Sequence, residues 1–455
     1  MISTPDPLSE ATAAPEAIDD TDAAYVSILE RLQARGRFGM RLGLSRTRAL
    51  LRALGNPERR LRGVLIGGTN GKGSTQALVG AALRQAGYSV GQMPKPHLVS
   101  YRERIQLDGQ PISVGDFVEL LADVMNVDEK LTLRHGPSTE FEILTAAAFL
   151  HFARRSVDVA VIEVGIGGRL DATNVWQGGV SAITNVALDH TDVLGPTVEA
   201  IATEKAQIIK RGDAAAVTGA VEPGLAVIRR RAARVDVPLS VVAPLNVERI
   251  DRQGVRVRAP GDGDLTVGLI GLHQAANAAV AWAILDALSL AGIATVSEEQ
   301  RKAAFAGVKW PGRMELISRA SAPSVLLDGA HNPDGVTALA ASLTELLPHI
   351  SGGPPTVLMA VLANHWQDGM IDPLAEAMPG ATVIATSVPG SMNSLAAARL
   401  ALEWGPGARP IADPGTALSV ALANARNVGG LLIACGSLYL VGYVRGQLLG
   451  ANRPA

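Results

Sequence analysis

The segment Gly67-Gly-Thr-Asn-Gly-Lys-Gly-Ser-Thr75 has the composition of a phosphate-binding turn. It follows an apolar run, Gly63-Val-Leu-Ile66, and opens a helical pattern. Backbone N–H groups in such a turn converge on an anion, and the helix start adds partial positive charge. Lys72 would neutralise β- and γ-phosphate oxygens, and Ser74 or Thr75 would reach Mg2+. The spacing departs from the usual P-loop, because Gly73 separates Lys72 from Ser74. The bland alternative is a plain glycine-rich turn, and a lysine at a strand–helix junction argues against it.

Glu163 is a lone carboxylate inside the apolar strand pattern Val159-Ala-Val-Ile-Glu-Val164. A buried carboxylate needs a partner. A metal ion in a phosphate site and a structural ion pair are equally good readings. The run Gly165-Ile-Gly-Gly-Arg-Leu-Asp171 follows, with glycines that let a ligand approach and Asp171 poised on the loop. His190, in Leu188-Asp-His-Thr191, is a candidate metal ligand through a neutral imidazole. Glu204-Lys205 lies in a helical stretch. Burial and positive neighbours would lower the pKa of Lys205, and a neutral amine can take up CO2 as a carbamate. Further on, Asp328 and His331 sit where Val325-Leu-Leu327 meets the next helix, capped by Asn332 and Pro333. Ligands bind at such carboxyl ends of strands.

These groups need a scaffold of buried strands. Helical periodicity begins near Ala24, and further helices are expected at Ser45–Leu54, Ser74–Gln85, Phe141–Arg154, Thr197–Lys210 and His273–Ala291. Strands are expected at Gly63–Ile66, Val159–Val164, Ser181–Asn185 and Ala214–Thr218, with short β-like stretches over 245–270. The alternation predicts an α/β fold with a mainly parallel sheet covered on both faces. It restarts after Trp310-Pro-Gly-Arg313, with strands near 324–328, 356–361, 381–387 and 430–435. The expected organisation is a disordered tail, 1–22, an ATP-binding unit, 23–308, and a smaller Rossmann-like unit, 312–455.

At 455 residues the chain is long enough for two cores. Its 41 basic and 43 acidic residues give a net charge of −2, which offers no field for nucleic acid. The single cysteine, Cys435, excludes an intrachain disulfide and reads as a small residue of a buried strand. Neither a signal peptide nor a membrane span is expected, which leaves the cytoplasm.

Taken together, Gly68-Thr-Asn-Gly-Lys-Gly-Ser74, Glu163 to Asn174, Leu188-Asp-His-Thr191, Glu204-Lys-Ala206, Trp310-Pro-Gly-Arg313, Asp328-Gly-Ala-His-Asn-Pro333 and Gly436-Ser-Leu-Tyr439 resemble the folylpolyglutamate synthase/dihydrofolate synthase family. Mur ligases share its superfamily but usually carry an added N-terminal domain, for which no room is expected here. The resemblance implies an ATP-dependent ligase that joins L-glutamate to dihydropteroate or a folate through an acyl phosphate. It implies ATP contacts from Asn70, Gly71, Lys72, Gly73, Ser74, Asn277, Arg313 and Asp328. Two Mg2+ ions would be held by Glu163, His190 and a carbamylated Lys205. Lys72, Lys205 and His331 would act in catalysis. Thr139, Glu140, Phe141, Glu142, Leu170, Asp171 and Ala172 match pterin-binding segments. Family members are often monomers.

The pattern is broken in three places. The family's Ser-Pro-His reads Pro94-Lys-Pro-His97 here, so Lys95 stands where a serine usually helps bind Mg2+. A cation cannot ligate a cation, so Lys95 either points at phosphate or marks a rearranged site. A common Asp-Lys-Asp is replaced by Asn364-His-Trp-Gln-Asp368, and a Ser-Pro-Arg-Ala segment by Ser391-Met-Asn-Ser394. Two other readings follow: a ligase of the same build for another carboxylate acceptor, and an ATP-binding paralogue of weak activity.

Overall fold

The strand Val159–Glu163 is buried along its whole length, which requires neighbours on both edges and layers on both faces. The computed structural model, which describes residues 23–38, 43–261, 263–319 and 322–450, supplies them. The expected tail, 1–22, lies outside the described residues. Val159–Glu163 pairs in parallel with Gly63–Gly67 on one side and Val90–Met93 on the other. Gly179–Ile183, Ala215–Thr218 and Leu239–Val241 continue the parallel array. A short antiparallel hairpin, Gln106–Leu107 with Gln110–Pro111, closes the opposite edge of this eight-stranded sheet.

Alternation along the strands divides the core into two layers. Val64, Ile66, Val159 and Val161 pack with the helices Lys72–Gln85 and Gln274–Leu290. Leu65, Ala160 and Ile162 face the other layer, which includes Glu140–Arg154 and Val114–His135. Beside the large sheet, Val247–Asp251, Gly254–Arg258 and Asp264–Val267 form a small antiparallel sheet. The second α/β unit is built on a six-stranded sheet. Glu315–Ile317 is its antiparallel edge, followed in space by Val325–Leu327, Leu432–Cys435, Thr356–Met359, Thr382–Ala385 and Ala408–Pro410, all parallel. Cys435 is buried there, and burial pushes its thiol up to about 12, as suits a core residue.

One expected helix ends early. The stretch from Thr197 stops at Ala206, short of Lys210. Its last turn tightens through Ile208 N to Lys205 O (3.2 Å) and Ile209 N to Ala206 O (3.1 Å), and Asp213 then takes the Lys210 N–H (3.0 Å).

The loop after Val90–Met93 is held from both sides. Glu103 accepts backbone N–H groups from Leu98 (2.7 Å), Val99 (2.9 Å) and Ser100 (2.8 Å). Leu98 itself belongs to the core of the second unit, with Val325, Leu327 and Val441. Its carbonyl oxygen would lie 2.0 Å from a Cβ at position 442, so only glycine allows the approach. Gly442→Ala is therefore expected to lower the unfolding free energy by about 1–3 kcal/mol. Gly115→Ala, at an exposed helical site with open space around it, should leave stability unchanged or slightly raised. Equal midpoints for the two variants in denaturant titration would refute the notch.

Candidate active site

Register decides where the chemistry sits. Ile66 pairs with Glu163, so the carboxylate emerges at the same carboxyl end of the sheet as the glycine-rich turn. Gly71 caps the helix Lys72–Gln85 in the left-handed region (φ 82°). A Cβ there would lie 2.1 Å from Asn277 Oδ1, so the turn and Asn277 are in close contact. Asn277 is fixed in turn by donating to Gln274 Oε1 (2.9 Å). Gly73 faces the indole of Trp310 and the Glu163 carboxylate across the turn. Ser74 and Thr75 are buried beneath it.

Lys72 folds back on its own turn, donating to Gly68 O (3.1 Å) and Thr69 O (2.9 Å). Lys205 reaches the same Gly68 oxygen at 2.8 Å from the helix Val198–Ala206. Lys205 is buried, and burial together with the Lys72 charge brings its pKa down to about 7. Glu163 accepts from Lys95 N at 3.1 Å. Burial raises its pKa against the pull of Lys72, Arg313 and Lys95.

A second cluster lies where the units meet. His190 stands in a left-handed conformation (φ 49°) at the start of a short helix. Its Nε2 lies 3.9 Å from Asp189 Oδ2, and His365 Nδ1 lies 3.6 Å from Asp189 Oδ1. Ligand atoms of Asp189, His190 and His365 all fall within 4.8 Å of one another. Burial would raise the Asp189 carboxyl, but His365, His190 and His331 outweigh it and hold the group well below the usual carboxylate range. The His331 ring packs edge-on to His365, with centroids 5.0 Å apart. His331 Nδ1 lies 2.7 Å from Gly329 O, and burial brings its pKa down to about 4. The ring is therefore neutral near pH 7, with Nδ1 as the donor. Asp328 accepts from Met314 N (2.9 Å) and Ala330 N (2.8 Å), and Arg313 packs on Gly329.

The units are joined directly at the turn. Asn70 Nδ2 donates to Asn332 Oδ1 (3.1 Å) and Asp334 Oδ2 (2.8 Å), and Asn332 Nδ2 donates back to Asn70 Oδ1 (3.2 Å). Asn332 also donates to Asp189 Oδ2 (3.2 Å), and Asn185 to Asp334 Oδ2 (3.0 Å).

The segments matched to pterin binding form another wall. Thr139 and Glu142 make a reciprocal capping box. Glu142 also takes Arg46 (3.0 Å) and Thr47 (3.2 Å), so its oxygens are engaged in holding the helix. Glu140 faces Arg104 at 3.6 Å. Phe141 lies beneath the Lys95 ammonium, 4.4 Å from its ring centroid. Asp171 accepts from Ile166 N (3.0 Å) and from Thr173 N (3.0 Å) and Oγ1 (2.6 Å); Leu170 is half-buried and Ala172 buried. The sequence reading did not single out Asp189, Asn185, Asp334 or His365. Asp189 stood beside His190 in its motif, whereas nothing in the sequence points His365 across the interface.

Two α/β units, a phosphate-type turn at the strand ends of the first and a carboxylate–imidazole cluster between them define an ATP-dependent carboxylate–amine ligase of the Mur type. The family model of the Mur ligase middle domain matches residues 66–285, and that of the Mur ligase glutamate ligase domain matches residues 312–438. A Bacillus subtilis dihydrofolate synthase/folylpolyglutamate synthase is 38% identical over 71% of this chain and 76% of its own length. A Lacticaseibacillus casei folylpolyglutamate synthase is 34% identical over 94% of this chain and 98% of its own. The crystal structure of Mycobacterium tuberculosis folylpolyglutamate synthase complexed with ADP and AMPPCP superposes with a TM-score of 0.83 at 32% identity, covering 95% of this chain and all of that one. The chain belongs to the folylpolyglutamate synthase/dihydrofolate synthase family of ATP-dependent glutamate ligases.

The lowered pKa of Lys205 carries a stability prediction. A lysine whose pKa falls from 10.5 to about 7 on folding opposes folding fully below pH 7, and the penalty fades as pH rises from 7 to 10.5. Lys205→Met should gain stability over the parent at pH 6, and the gap should shrink toward pH 10. A gap that does not change with pH, measured by urea unfolding, would remove the shift.

Proposed function

We propose that this chain ligates L-glutamate to dihydropteroate, to a reduced folate, or to both, through an acyl phosphate. The observation that carries this reading is the convergence of the Asn70–Ser74 turn, Glu163 and Lys205 on one side with Asp328 and His331 of the second unit on the other. Residues 23–308 would bind ATP and residues 312–455 would complete the ligase. All of these groups come from one chain, which supports action as a monomer. Among the described residues no helix is long and apolar enough to cross a membrane, in keeping with a cytoplasmic reaction.

The turn amides and the Lys72 ammonium hold the phosphates, with the helix start behind them. The acceptor carboxylate attacks the γ-phosphorus and ADP departs, leaving the acyl phosphate. The glutamate amine then attacks the acyl carbon, and phosphate leaves. His331, neutral and with Nε2 as the acceptor nitrogen, takes the proton that the amine loses. The joined units hold the substrates together and keep water from the acyl phosphate.

The residues present suit a divalent cation. Glu163 and Asp189 are buried carboxylates, and Asp189 Oδ1 has no hydrogen-bond partner. Glu163, His190 and carbamylated Lys205 would hold Mg2+. When bound, it would neutralise phosphate charge and act as a Lewis acid on the transferred group. The low pKa of Lys205 supports the carbamate, since only the neutral amine reacts with CO2.

Purified protein with ATP, Mg2+ and L-glutamate should release phosphate when given dihydropteroate or tetrahydrofolate, with the pterin product heavier by one glutamate unit. Glu163→Gln should lower the rate roughly hundredfold or more. ATP binding without glutamate addition to either acceptor would sink the folate reading and favour a different acceptor. Separately, protein equilibrated with 13C-bicarbonate should show a carbamate carbon signal that Lys205→Arg abolishes; its absence from the parent would remove the carbamate.

A further inference from the structure

Lys95 differs from the other cations of the cleft. Lys72 and Lys205 end on carbonyl oxygens, and Arg104 ends on His97 (2.8 Å) and Glu140 (3.6 Å). Among the described residues, the Lys95 ammonium makes no hydrogen bond and has no carboxylate within 4.0 Å. It is half-buried over the face of Phe141. A cation–π contact replaces only part of the hydration that such an ammonium gives up.

Its surroundings locate it between the two ends of the reaction. The Lys95 backbone N–H is bound to Glu163, at the phosphate end. The side chain runs the other way. A Cβ on Gly165 would lie 2.7 Å from Lys95 Nζ, 2.7 Å from Asp171 Oδ2 and 3.0 Å from Phe141, so these three groups border one patch of bare backbone. Asp171 accepts from Ile166 and Thr173 and makes no ion pair with the ammonium. The loop cannot easily carry Lys95 elsewhere. Glu103 fixes the three amides that follow it, and Leu98 is seated in the second unit against Gly442.

A substrate lying along this path has one group that must reach the γ-phosphate, its reacting carboxylate. We infer that Lys95 binds the reacting carboxylate of the acceptor and the acyl phosphate formed from it, which gives the site a fixed cation in the loop where the family's serine usually helps bind Mg2+. The inference rests on the ligase reading above. In the phosphoryl transfer one carboxylate oxygen forms the bond to phosphorus and the bond to the ADP oxygen breaks. The other carboxylate oxygen stays on the ammonium, and Lys95 keeps its protons throughout.

The test compares acceptor binding in the presence of Mg2+ and a non-hydrolysable ATP analogue, without glutamate. The probes are dihydropteroate and its carboxamide, in which the reacting carboxylate is neutral. The parent should prefer the carboxylate by roughly ten- to hundredfold, the usual value of a charge-assisted hydrogen bond. Lys95→Met should bind both probes alike while keeping its affinity for the nucleotide. Lys95→Arg, which keeps the charge, should retain most of the preference and guards against a folding defect in the first variant. A preference that survives in Lys95→Met would overturn the inference. So would a loss of nucleotide affinity in place of acceptor affinity, which would assign Lys95 to phosphate. A parent that ligates acceptors without preferring the carboxylate defeats this inference alone. A parent that neither binds nor ligates either acceptor defeats the ligase reading and this inference with it.

Discussion

The carbonyl oxygen of Gly68 ties the site together, because two ammonium groups end on it. Lys72 arrives from the turn itself and Lys205 from a helix well over a hundred residues later. Burial of Lys205, with the Lys72 charge beside it, brings its pKa down to about 7. The arrangement holds only if the helix is in the right phase. Thr197 caps it through Ala200 N (3.2 Å), which puts Lys205 on the same buried stripe as Ile201 and Ala202. A lysine in an apolar stripe would be a defect in most helices. Here the strand ends beneath it supply the oxygen it needs.

Around that point the two units are joined by contacts of opposite kinds. Asn70, Asn185 and Asp334, in part-buried or exposed positions, meet the buried Asn332 through short polar side chains. The exposed bonds of Asp334 add little net stability, since water replaces them well. Leu98 against Gly442 is a buried apolar contact that leaves no room for a methyl group. The apolar contact fixes where the units touch, and the polar ones set which side chains face the turn.

The strands and helices that bear the phosphate chemistry were legible because their signals are local. Val159–Glu163 announces itself by an apolar run that only Glu163 interrupts, and the helix expected over Phe141–Arg154 starts one residue earlier, at Glu140. Val90–Met93 gave no such signal. Its buried Gln92 is satisfied by Arg84 (2.6 Å) and the Gln76 carbonyl (3.2 Å), so a central strand reads as polar. The helix Val114–His135 has a regular stripe, with Phe117, Leu120, Leu121, Val124 and Met125 buried, yet it lies between motifs and carries none. The site followed the same rule. Residues within motifs could be named from sequence, but the side-chain direction of Lys95 and the reach of His365 to Asp189 depend on how distant loops pack.

The two departures in the second unit are a single change in structural terms. Asn393 Nδ2 donates to Asn364 Oδ1 (2.8 Å), Ala363 N donates to Asn393 O (2.8 Å), and Leu362 bridges Ser394. A substitution in one segment therefore alters the support of the other. What the paired loops present to the cleft is His365, 3.6 Å from the Asp189 carboxylate and edge-on to both His190 and His331. The phosphate side of the cleft keeps Lys72 inside its motif, while the face opposite gathers His365, His190 and His331 around the Asp189 carboxylate.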